Sequence, residues 1–160
     1  MAPPKSDPTV LALRQTLCDE ESELAKRFRA LFSLKHLASQ NPPSEATVPA
    51  IEAIAAAFAS PSALLKHELA YCLGQSRNLA AVPFLRAVLQ NLQEDPMVRH
   101  ESAEALGALG DEGSLELLKS MLNDQSVEVR ETCEIAIDRI VWEHSRDKSI
   151  EKLKQRYNPM

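Results

Sequence analysis

Apolar residues recur along this chain three and four positions apart, in bursts broken by Pro, Gly, Ser and Asn. In ALLKHELAYCLGQ, residues 63–75, Leu65, Leu69, Cys72 and Leu73 fall within about one 100° arc of a helix. In MVRHESAEALGAL, residues 97–109, the equivalent stripe is Val98, Ser102, Ala105, Leu106 and Leu109. The same period predicts helices over 9–18, 22–38, 47–59, 79–91, 114–122 and 127–142. Ser60-Pro61-Ser62, Glu94-Asp95-Pro96 and Asn123-Asp124 read as turns, and NPPSEA at 41–46 reads as a loop.

Four of these predicted helices are related to one another. Val98-Arg99-His100 aligns with Val129-Arg130-Glu131, and then Ala105, Leu106 and Leu109 fall on Ala136, Ile137 and Ile140. Placing His67 over His100 puts Leu65 on Val98 and Gly74 on Gly107; a weaker match sets Phe28 where His67 stands. The spacings are 39, 33 and 31 residues, a period that belongs to two-helix solenoids. With Val-Arg before and Ala-Leu-Gly after, the second helices resemble those of HEAT-type repeats. That resemblance implies an all-α, HEAT-like α-solenoid of about four antiparallel helix pairs. The units expected are 9–40, 46–76, 78–110 and 112–143, after a disordered N-terminus at 1–8 and before a loop-like or frayed tail at 145–160.

Composition agrees: hydrophobic residues make up 44% and aromatics 4%, with only four glycines, which favours helices over sheet. A net charge of -5 without a Lys/Arg run argues against nucleic-acid binding. The most apolar run, AIAAAFA at 53–59, is too short to span a bilayer, and MAPPKSDPTV lacks the apolar centre of a signal peptide. Cys18, Cys72 and Cys133 form no C-x-x-C pattern, so they read as small packing residues of a reducing, intracellular compartment.

One chemistry-bearing feature repeats. His67-Glu68 and His100-Glu101 stand in register, while the outer units carry Phe28-Arg29 and Glu131-Thr132. On the helical wheel both histidines lie nearly opposite the packing stripe, with each glutamate on its flank. Imidazoles on neighbouring helices, stacked about 8–10 Å apart, could converge on one ion. Each glutamate points about 100° away and suits a second ion better than the same one. Half of a two-ion cradle and an ordinary solvated face both fit this pattern. An H-E-x-x-H zinc hydrolase does not, because Tyr71 and Glu104 occupy the place of its second histidine. Glu104 and Tyr71 could support a ligand by hydrogen bonding or belong to a plain polar face. His36 and His144 fall outside the pattern and are expected to be solvated.

SALLKHELAYCLGQ, DPMVRHESAEALGALGD, VRETCEIAIDRI and RFRALFSLKHL closely resemble the N-terminal half of the deoxyhypusine hydroxylase family, across roughly residues 20–142. The resemblance implies a non-haem di-iron monooxygenase that uses Fe(II), two ions in the complete site, and O2 as co-substrate. Its substrate would be the deoxyhypusine side chain of eukaryotic translation initiation factor five A, converted to hypusine. By motif match the family's iron ligands fall on His67, Glu68, His100 and Glu101. Glu101 or Glu104 could instead contact the cationic amine of the substrate. The family has two similar halves, so a complementary C-terminal half or a second copy is an expected partner, and an isolated chain is expected to be weakly active or inactive. Nucleic acid and membrane are not expected partners; the expected location is the cytoplasm, with the nucleus as a second compartment. The alternative is a non-catalytic HEAT-repeat interaction scaffold.

Overall fold

A computed structural model describes residues 7–157 of the chain; residues 1–6 and 158–160, parts of the two expected tails, lie outside the described residues. Among the described residues the chain forms α-helices and short 3-10 turns, with no strand. The helices are α1 (Pro8–Cys18), α2 (Leu24–Ala38), α3 (Thr47–Ala56), α4 (Ala63–Gln75), α5 (Val82–Gln90), α6 (Pro96–Leu109), α7 (Leu115–Ser120) and α8 (Val127–Tyr157). They pair as α1/α2, α3/α4, α5/α6 and α7/α8, and α2, α4, α6 and α8 pack side by side in one row. One apolar core runs the length of the stack, with Leu31 and Leu34 of α2, Leu69 and Leu73 of α4, Leu106 of α6 and Ile140 of α8 all fully buried. A solenoid is thus the observed architecture.

Local chemistry sets the helix ends. Asp95 accepts a hydrogen bond from Met97 N at 2.8 Å and Pro96 opens α6, where a missing N–H costs nothing. Gly110 ends α6 at φ +68°, a conformation that glycine adopts without strain. A 3-10 turn at Leu79–Ala81 precedes α5 where the apolar pattern suggests one continuous helix. Pro83 forces this break: inside an unbroken α-helix its ring would meet the carbonyl of Leu79. The segment from Ser145, expected as loop or frayed end, instead continues α8 to Tyr157. No Gly or Pro lies between Gly113 and Pro159 to stop it, and Arg146 stacks over Trp142 at 5.0 Å.

One residue before each doublet position stands a base: Arg27, Lys66, Arg99 and Arg130. Buried Arg99 donates from Nε to Leu89 O at 3.1 Å, satisfying a carbonyl at the C-terminal end of α5. Its guanidinium also donates to Asp124 at 3.0 Å, in the turn of the following pair. Arg27 repeats the arrangement with Leu17 O at 2.8 Å and Ser60 Oγ at 3.3 Å, and Lys66 reaches Glu94 at 2.6 Å. Arg27, Lys66 and Arg99 therefore tie their own first helix, the next turn, or both to the second helix, while Arg130 donates to the Asp124 carbonyl of the turn before its own helix at 2.7 Å.

The hydrogen bond from Arg99 holds the Asp124 carboxyl below its ordinary range. A carboxyl depressed in the folded state stabilises the fold above its unfolded pKa, about 3.9, and loses that contribution as pH falls through the folded value. Arg99→Ala is therefore expected to lower the urea midpoint at pH 6 and to shrink the loss of stability on going from pH 4 to pH 2.5. Parallel acid profiles for the two proteins would show the pair to be energetically idle.

Two glycines determine how closely the second helices approach. A Cβ on Gly74 would lie 2.8 Å from Ala105 Cβ, and one on Gly107 would lie 2.9 Å from Ala136 Cβ. Both contacts are helix against helix, α4 on α6 and α6 on α8, at matching positions of the repeat. Close approach at these points brings side chains one and two turns earlier within reach across the gap.

Candidate metal centre

His67 projects from α4 and His100 from α6, each partly exposed, with ring centroids 6.2 Å apart and planes tilted by 36°. Between them lies Glu101. Its Oε2 is 3.2 Å from His67 Nε2 and 3.9 Å from His100 Nε2. One ligand atom from each of the three residues lies within 4.8 Å of the others, a spacing that a single metal ion could bridge. Glu68 stands on the far side of His67, with Oε1 3.6 Å from Nδ1. The His67 ring is thus flanked by carboxylates at both nitrogens.

This arrangement alters one expectation from the helical wheel. Glu101 was expected to face a second ion, yet its carboxylate shares a point with both imidazoles, and Glu68 lies outside that trio. The reason is that Glu101 crosses to the neighbouring helix: it serves the histidine of the preceding unit. Its side chain is only 9% exposed, against 28% for Glu68. Burial raises the Glu101 pKa, with Glu104 and Glu68 adding to the rise and His67 opposing it. Burial likewise lowers the pKa of His100, which favours the neutral ring, the form that offers a lone pair to a metal.

His100 has a further partner. Its Nδ1 lies 2.8 Å from Thr132 Oγ1 of α8, within hydrogen-bond distance. Sequence reasoning noted Thr132 only as a departure from the doublet pattern. Its place in the repeat, equivalent to Glu68 and Glu101, was the available signal.

The remaining candidates sit further out. Glu104 is exposed, one turn beyond His100 on α6, at the edge of a small cavity of about 200 Å³ that Thr132, Ile135 and Arg139 also line. Tyr71 is exposed, and the Lys35 ammonium stands 5.2 Å from its ring centroid. His36 is exposed as expected. His144 is only partly solvated: its Nε2 lies 2.9 Å from the Gly110 carbonyl that ends α6. Cys72 and Cys133 are packing residues, buried with thiols pushed up to about 12 and about 11; Cys18 is exposed.

Residues 49–138 match the family model described as HEAT repeats. The chain is 64% identical over 157 residues to a deoxyhypusine hydroxylase of Phaeosphaeria nodorum, covering 97% of this chain and 48% of that protein. Against the deoxyhypusine hydroxylase of Neosartorya fischeri, identity is 63% over 150 residues, covering 92% and 45%. A solved structure of human deoxyhypusine hydroxylase in complex with glycerol superposes with a TM-score of 0.78 at 48% identity, covering 86% of this chain and 45% of that one. The chain therefore spans about half the length of the relatives it matches. Among the described residues, no helix is long and apolar enough to cross a membrane.

Proposed function

The chain belongs to the HEAT-repeat family, and we propose that it is the metal-holding half of an iron-dependent deoxyhypusine hydroxylase. One observation carries the reading: His67, His100 and Glu101, from two different repeat units, each bring a ligand atom within 4.8 Å of the others. Among the described residues they are the group of His, Cys, Asp and Glu side chains compact enough to hold an ion. A scaffold that merely docked a partner would leave that convergence unexplained.

The donor set fits iron. Two imidazoles and a carboxylate are ligands of the type that suits Fe(II). We assign His67, His100 and Glu101 to one ion, with Glu68 as the fourth ligand beside them. A bound iron pair would supply the one-electron and dioxygen chemistry that side chains lack. The chain's own residues hold and orient. Glu101, buried among the metal-facing groups, is committed to the ion. Glu104, exposed one turn further on, is the carboxylate placed to receive a cationic amine from the substrate by a charge-assisted hydrogen bond. The substrate we assign is the deoxyhypusine side chain of translation initiation factor five A, in the cytoplasm or nucleus.

Four side chains are too few to enclose two ions. Full activity therefore requires further ligands from a complementary half or a second copy of this chain. An assay with ferrous iron, reductant, O2 and the deoxyhypusine-bearing factor tests both parts. The purified monomer is expected to form little or no hypusine, and the chain joined to its complementary half is expected to form it steadily. Robust turnover by the monomer contradicts the incomplete-site part; no turnover by the completed protein contradicts the hydroxylase reading.

A further inference from the structure

We propose that Thr132 is a positioning residue for His100: its hydroxyl accepts the Nδ1 proton of the imidazole, leaving the Nε2 lone pair directed at Glu101 and His67. The inference rests on the proposed reading of His100 as a metal ligand. It follows from the order of partners around the ring. Nδ1 lies 2.8 Å from Thr132 Oγ1, while Nε2 is the nitrogen nearer the carboxylate of Glu101, at 3.9 Å.

A neutral imidazole carries one N–H and one lone pair, and a hydrogen bond at one nitrogen decides which faces the other way. In free solution nothing fixes that choice for a ligand; here α8 does. Thr132 is well suited because its hydroxyl carries acceptor lone pairs and no charge, so it can take the imidazole proton without competing for a cation.

The repeat makes the role intelligible. In the third and fourth units the second doublet position reaches back to the histidine of the preceding unit: Glu101 to His67, and Thr132 to His100. The third unit supplies a carboxylate that joins the ion. In the fourth unit the same position supplies a neutral hydroxyl, which orients the ring without adding charge.

The experiment reads the tautomer of His100 directly, by long-range nitrogen–proton NMR on metal-free protein at pH 8, in the native chain and in Thr132→Val and Thr132→Ser. The native chain and Thr132→Ser are expected to show the Nδ1–H tautomer, and Thr132→Val a shift towards Nε2–H. Ferrous iron titrated anaerobically should bind Thr132→Val roughly 10- to 100-fold more weakly, the usual effect of losing a ligand's supporting partner, with serine restoring the affinity. An Nε2–H tautomer in the native chain, or an unshifted tautomer in Thr132→Val, overturns the inference. If the native chain binds no iron, the reading as a metal centre fails, and the tautomer still decides the role of Thr132.

Discussion

Replacing Gly107 with valine is expected to destabilise the fold by about 3 kcal/mol or more, at the upper end for an overpacked core. The Cβ would arrive 2.9 Å from Ala136 Cβ and 3.0 Å from Ala136 Cα. The second contact matters most, because it is backbone on a neighbouring helix and cannot rotate aside. Relief requires α6 and α8 to separate, and with them the buried row of Leu106, Cys133 and Ile140. For a chain of this size the change corresponds to a fall in Tm of roughly 6–12 °C. Gly113→Ala is the control: its nearest neighbour is the Asp111 carboxylate at 3.4 Å, and a change within about 0.5 kcal/mol is expected. Thermal unfolding of both variants checks the argument. A Gly107→Val protein that melts with the native chain would show that the helices have room to spare.

His67→Ala should have the largest effect on metal binding while leaving the fold intact. The ring is partly exposed, so its removal opens no buried cavity, and the Tm of the metal-free protein should barely move. Affinity for ferrous iron should nevertheless fall by more than about 100-fold, beyond the range expected for losing only a supporting group. The structural reason is that His67 faces both carboxylates, Glu101 at 3.2 Å and Glu68 at 3.6 Å. Without the ring the remaining imidazole and acids are divided between two helices with nothing to join them. Anaerobic titration measures the loss. Native-like iron affinity in His67→Ala would remove α4 from the site.

Much of this was legible in the chain. Leucine and alanine at helical spacing gave the helices, and the recurrence of Gly74 at Gly107 and of His67 at His100 gave the repeat. The doublets marked the two helices whose His and Glu side chains come together. What the wheel could not give was the reach of Glu101, because a wheel describes directions about one axis and says nothing of a neighbour's distance. That distance is set by glycine against alanine at Gly74/Ala105, a contact between units. For the same reason Thr132 passed as a broken doublet and His144 as a surface residue: each meets its partner only across a helix boundary. The continuation of α8 was missed because polar, charged sequence was read as a frayed end, although it contains good helix formers throughout.

The most direct test is crystallographic: anomalous diffraction at the iron edge from crystals loaded with ferrous iron under anaerobic conditions. A peak in the hollow bounded by His67 Nε2, His100 Nε2 and the Glu101 carboxylate, within coordinating distance of all three, is the predicted result. Iron elsewhere on the surface, or no iron while those three side chains keep their places, would contradict the account.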